Sequence, residues 1–243
     1  MQAISTESAL IKGSRIAYGV HGTGEPVVLI HGTPSSSLIW RNVVPKLVAA
    51  DFKVYVFDLL GYGLSERPWD PSVDTSMTGQ VPILEDLLAL WGLDSTHIVA
   101  HDIGGGIAQR LSVFSPQRVR SLTLIDVVSF DSYPLKRTKQ QMQNGLEALI
   151  KADDNAHKEH FREWLLTAVK NPQKLADTHE LQKLPVQVIW GADDGWQVVD
   201  WAHKLQSAIP GSELHLVEDA GHFSPEDQPE KISELVVSFL GKQ

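Results

Sequence analysis

Val99-Ala100-His101-Asp102-Ile103-Gly104 places a carboxylate where a β-prone run, Thr96-His97-Ile98-Val99, gives way to a glycine-rich helix start, Gly104-Gly105-Gly106. Strand, sharp turn and helix in that order make a nucleophile elbow. Small residues two before and two after the reactive side chain, here Ala100 and Gly104, let the backbone turn tightly. Asp102 is the candidate nucleophile, and its side-chain type limits the chemistry. A carboxylate attacking an ester or amide carbonyl would give a reactive anhydride, whereas attack on a saturated carbon bearing a leaving group gives an alkyl ester that water can cleave. An aspartate before a helical run is also a common N-cap, so the catalytic reading depends on partners elsewhere in the chain.

Working outward, short β-type runs alternate with longer helical patterns. The expected strands are Arg15 to Val20, Pro26 to Ile30, Lys53 to Phe57, His97 to Ala100, Ser121 to Ile125, Val186 to Trp190 and Glu213 to Val217. Wholly apolar runs such as Val27-Val28-Leu29-Ile30 suit a sheet covered on both faces. The expected helices are Leu38 to Ala50, Pro82 to Trp91, Gly105 to Phe114, Val199 to Ile209 and Pro229 to Leu240, with Pro82 and Pro229 in first turns, where a missing N–H costs nothing. The rhythm breaks between Ile125 and Val186, where an amphipathic stripe, Phe161, Trp164, Leu165, Ala168 and Val169, needs a surface to cover. These patterns predict an α/β class protein with a mostly parallel central sheet and helices on both faces. Residues 1–126 and 185–243 form its core, and a short helical cap over 127–184 is inserted above the strand ends, where ligands bind in open α/β sheets.

The chain of 243 residues suits one larger α/β domain. With 30 Asp and Glu against 21 Lys and Arg and no basic cluster, nucleic acid and anionic membrane are poor partners. The absence of cysteine excludes disulfide and thiolate chemistry. Met1 to Gly13 lacks a basic segment followed by an apolar one, and no apolar run approaches the roughly 20 residues of a membrane span. A cytoplasmic protein acting on a small molecule is expected, with no cofactor. No His, Asp and Glu grouping has metal-ligand spacing.

Two further signals follow in the order nucleophile, acid, histidine. His222, in Asp219-Ala220-Gly221-His222-Phe223, stands past the last strand, where a general base belongs in such a fold, and a neutral imidazole can take a proton from water near pH 7. Asp194, closing Val188-Ile189-Trp190-Gly191-Ala192-Asp193-Asp194, is the expected acid that orients it. Asp126, directly after Leu122 to Ile125, is the rival acid. His31-Gly32-Thr33-Pro34 follows a buried strand, and the Thr33 and Ile103 amides are expected to form an oxyanion hole. His101 is expected to shape the elbow. Asp58 with Gly61 and Gly63 reads as a structural turn, and the glycines after Asp102 read as close helix packing, since the dinucleotide fingerprint is absent.

Those motifs, with Asp58-Leu59-Leu60-Gly61-Tyr62-Gly63-Leu64-Ser65, resemble the α/β-hydrolase superfamily over nearly the whole chain. The elbow aspartate resembles the branch holding epoxide hydrolases and haloalkane or haloacid dehalogenases. That resemblance implies an ester formed on Asp102 and released by water that His222 activates. The segment Pro34 to Pro45 and His222-Phe223 with Glu226-Asp227 are similar to dehalogenases. Ile103, however, stands where haloalkane dehalogenases carry a halide-binding Trp, and Thr33 stands at their Asn position; an isoleucine side chain has no N–H to offer. Epoxide hydrolases protonate the opening oxygen with cap tyrosines, which makes Tyr133 the expected proton donor, with His157, His160 and His179 as further cap candidates. Epoxide opening is therefore the expected activity, ahead of carbon–halogen cleavage by the same residues. A binding or signalling protein on this scaffold is the alternative of another class. A serine esterase is disfavoured, because the chain has no Gly-x-Ser-x-Gly.

Overall fold

The computed structural model describes residues 4–70, 72–130, 132, 133 and 181–243. Eight strands form one sheet: β1 (Glu7–Ile11), β2 (Ser14–His21), β3 (Glu25–Ile30), β4 (Phe52–Phe57), β5 (Thr96–His101), β6 (Val119–Ile125), β7 (Val186–Gly191) and β8 (Glu213–Val217). Their order across the sheet is β1-β2-β4-β3-β5-β6-β7-β8. The β1/β2 and β2/β4 pairs are antiparallel, and every pair from β4 onward is parallel. The described helices are α1 (Val44–Ala49), α2 (Met77–Leu90), α3 (Ile103–Phe114), α4 (Asp200–Ala208), α5 (Ser224–Asp227) and α6 (Pro229–Leu240).

Strand pleating divides the core into two layers, because successive side chains point to opposite faces. Val28 and Ile30 of β3 and Ile98 and Ala100 of β5 join Leu84, Leu87, Ile107, Leu111 and Leu205 of α2, α3 and α4. Val27, Leu29 and Val99 join Leu47, Ile232, Val236 and Phe239 of α1 and α6 on the other face. The predicted two-sided burial of a mostly parallel sheet is thus observed, and its parallel strands run their C-terminal ends to one edge, where the loops carrying Thr33, Asp102, Asp126, Asp194 and His222 gather.

Three expectations are corrected. Leu38 to Ala50 is two pieces, a 3₁₀ turn over Ser37–Trp40 and then α1, because Pro45 in the first turn of α1 has no N–H to continue a ladder from the preceding turn. Pro82 lies inside α2 instead of at its start; the helix begins earlier, where the Ser76 side chain accepts the Gly79 amide at 3.0 Å. The β1 strand was not expected. Its signal is the Lys12-Gly13 pair, which turns with φ of +50° and +81° between the paired residues Ile11 and Ser14, as a tight hairpin requires. Most of the expected 127–184 cap lies outside the described residues, as do His157, His160, His179 and the Phe161 to Val169 stripe.

Helix α3 meets the sheet so closely that a Cβ on Gly104 would stand 2.4 Å from the His31 carbonyl oxygen and 2.6 Å from that of Ile30. Backbone cannot move aside as a flexible side chain can. Gly104→Ala is expected to destabilise the fold by about 1–3 kcal/mol, the usual cost of overpacking. Gly195→Ala, whose Cβ would meet nothing within 4 Å, should be nearly neutral; urea unfolding of both variants measures the contrast.

Candidate active site

Asp102 occupies the junction of β5 and α3 with φ +52° and ψ −122°, a strained conformation for a residue with a side chain. Two amides reward that geometry. The Thr33 N–H donates to Asp102 Oδ1 at 2.7 Å, and the nearby Ile103 amide dipole favours the charged carboxylate. Asp102 makes no side-chain cap bond to α3, so the N-cap role does not describe it. The two amides expected as an oxyanion hole converge on the aspartate's own carboxylate. Gly32 makes room for it, since a Cβ there would lie 2.4 Å from both Cβ and Oδ1 of Asp102.

His222 approaches from the loop after β8. Its Nδ1 donates to Asp194 Oδ2 at 2.8 Å, and its Nε2 stands 3.4 Å from Asp102 Oδ2, outside hydrogen-bond alignment. The other Asp194 oxygen accepts the Trp196 amide at 2.7 Å and the Gln197 amide at 2.8 Å, so this carboxylate is held from both sides. The His222 backbone is fixed as well. His101 Nε2 donates to its carbonyl at 2.7 Å, which gives the expected elbow-shaping residue a definite task. Asp126, the rival acid, does not reach the imidazole by a hydrogen bond. Its Oδ1 accepts the Gly191 amide at 2.7 Å and its Oδ2 accepts the Ser224 hydroxyl, tying the end of β7 to the segment that follows His222.

The charges follow from this packing. Burial disfavours an imidazolium at position 222, yet Asp102 and Asp194 together outweigh it and push the His222 pKa up to about 10. Burial likewise works against the Asp102 carboxylate, but His222, His101 and the Ile103 amide hold its pKa below the usual range. Burial and the His222 charge lower His101 to about 4, leaving it neutral. Burial raises Asp126 to about 8. The resting centre is thus an imidazolium between two carboxylates. The Tyr133 phenol has its pKa raised by burial, by Tyr62 and by Asp102, and its oxygen is buried without a hydrogen-bond partner among the described residues, as are Thr33 Oγ1 and His222 Nε2. Among the described residues no group of three or more His, Asp and Glu side chains could hold a metal ion, and no helix is long and apolar enough to cross a membrane. Sequence reasoning missed Trp196, whose ring lies against His222 with centroids 5.0 Å apart. Its only sequence signal is a position two residues past Asp194.

A strained residue at a strand-to-helix elbow, faced by a loop histidine with a strand-end carboxylate behind it, defines the α/β-hydrolase class of site. The chain belongs to the alpha/beta hydrolase fold family, whose model matches residues 25–175. It is 26% identical to a soluble epoxide hydrolase of Corynebacterium sp. strain C12, covering 98% of this chain and 97% of that one. It is 25% identical to a 2-hydroxy-6-oxononadienedioate/2-hydroxy-6-oxononatrienedioate hydrolase of Cupriavidus pinatubonensis, covering 99% and 96%. A thermophilic esterase from Thermogutta terrifontis shares the fold at a TM-score of 0.80 and 22% identity, covering 97% of this chain and 98% of that one.

A folded-state pKa raised from 6.5 to about 10 means that His222 stabilises the fold fully below pH 6.5, and that this contribution disappears as pH rises toward 10. Thermal unfolding of the wild type and His222→Gln should therefore differ most near pH 6 and converge above pH 10. A difference that grows with pH would contradict the ion triplet.

Proposed function

We propose that this protein is a hydrolase that opens a small, mostly apolar substrate at saturated carbon through an alkyl ester on Asp102, with an epoxide as the substrate class. The observation that carries this reading is the division of labour between the two Asp102 oxygens. Oδ1 is held by the Thr33 amide at 2.7 Å, while Oδ2 faces His222. An anionic carboxylate so held attacks through Oδ2 and leaves Oδ1 as the ester carbonyl oxygen, already seated where negative charge will develop when water adds. Removing one such donor costs on the order of 3 kcal/mol of barrier.

Esterification also changes the base. It removes one of the two negative charges that raise the His222 pKa, so the imidazolium releases its Nε2 proton to solvent, from which the phenolate left at Tyr133 by ring opening is reprotonated, and the neutral ring can then take a proton from water. Asp194 keeps Nδ1 protonated and steadies the imidazolium formed as water adds. That proton passes to the departing alkoxide when the tetrahedral adduct collapses, yielding a diol and the free carboxyl group. During ring opening the epoxide oxygen needs a donor, and the Tyr133 phenol, whose buried oxygen has no hydrogen-bond partner among the described residues, supplies one. Ile103 has no side-chain donor for a departing halide, which places carbon–halogen cleavage second. The 26% identity to a soluble epoxide hydrolase supports the same choice.

Single turnover of styrene oxide in heavy-oxygen water, followed by mass analysis of the peptide containing residue 102, should show label in Asp102. Turnover without that label excludes the ester route. His222→Gln should accumulate a stable adduct on the same peptide. Tyr133→Phe should slow adduct formation by about 10²–10⁴-fold, the usual worth of a positioned acid, with adduct hydrolysis unchanged.

A further inference from the structure

Among the described residues three rings pack around the His222 imidazole. His101 lies 5.0 Å away at 48° and Phe223 5.4 Å away at 77°, while Trp196 lies 5.0 Å away at only 30°, the one near-parallel stack of the three. Its backbone amide donates to Asp194 Oδ1 at 2.7 Å, and its ring edge-packs on Phe223 at 5.6 Å and 74°. The same residue therefore holds the acid with its main chain and faces the imidazole with its side chain. Trp196 is 45% exposed, so the solvent side of the ring is open while its other side lies against the imidazole.

We propose that Trp196 is a positioning residue for His222, its indole face fixing the plane of the imidazole and favouring the charged imidazolium. An indole is the best aromatic partner for a cation, and 5.0 Å is inside the distance at which its electron-rich face attracts one. The stack matters most after Asp102 has become an ester. Of the two flanking carboxylates only Asp194 is then charged, and the imidazolium formed as water adds leans on Asp194 and the indole. The other titratable groups that act on this ring are His101 from the end of β5 and Asp126 from the end of β6. The proposal rests on His222 as the base that activates water; its primary test reads the ring itself and needs no substrate.

The test follows the His222 ring nitrogens by NMR in protein carrying nitrogen-15 histidine, the signal being assigned by its loss in His222→Gln, through a pH titration of the wild type, Trp196→Phe and Trp196→Leu. Trp196→Leu should lower the midpoint by about half a pH unit, the size expected of a partly exposed cation–aromatic contact, and Trp196→Phe should recover more than half of that shift. Coincident wild-type and Trp196→Leu curves overturn the proposal, as does a Trp196→Phe shift as large as that of Trp196→Leu. If Trp196→Leu fails to fold, the emission assigned to Trp196 by difference from Trp196→Phe must change with the His222 midpoint in the wild type; emission that ignores that midpoint overturns the proposal equally. In single turnover of styrene oxide, Trp196→Leu should slow adduct hydrolysis while leaving adduct formation unchanged. Intact titration shifts with no adduct at all would instead sink the ester chemistry and leave the stack standing.

Discussion

Everything at the strand ends depends on the backbone of one residue. A positive φ at Asp102 is unfavourable for a side chain of its kind, and structures retain such strain where surrounding bonds over-determine it. Here the Thr33 amide fixes the carboxylate from β3's loop, and the carbonyl of Asp102 accepts the amides of Gly105 at 3.0 Å and Val128 at 3.2 Å. The elbow is thus fastened on three sides, to the loop after β3, to the first turn of α3 and to the segment after β6. The nearness of α3 to the sheet and of Gly32 to the carboxylate are consequences of the same fastening.

The histidine loop is held by a second set of bonds that never touch the reacting atoms. His101 grips its carbonyl, Asp194 grips its imidazole, and Asp126 joins Gly191 to Ser224 on either side of it. Hydrogen bonds to buried groups matter most when they cannot be replaced by water. Asp126 and His101 are both fully buried, so each fixes spacing between neighbouring strand ends that packing alone would leave loose.

The sheet was largely legible because its strands are uninterrupted apolar runs and its helices carry regular apolar spacing. The elbow, His222 and Asp194 were legible for a different reason: each lies a fixed short distance past a recognisable strand. Sequence put Asp194 ahead of Asp126 but left Asp126 as a rival, since both follow strands, and β6 and β7 are neighbours in register at Ile125 and Ile189. Only the direction of each side chain decides which reaches the imidazole. Trp196 and the hairpin strand β1 were missed on similar grounds. The first makes its contact through space with a residue far along the chain, and the second is a mostly exposed edge whose pattern is weak.

The order of the chain gives β8 a special place. Among the described residues it is an edge strand, paired with β7 alone, and the histidine follows it, more than a hundred positions after the elbow. A ribosome extruding this polypeptide releases the strained aspartate long before its cationic neighbour exists. Docking of β8 against β7 is the event that carries His222 to the elbow, and the same stretch of chain brings α6, which completes the core layer on that face of the sheet.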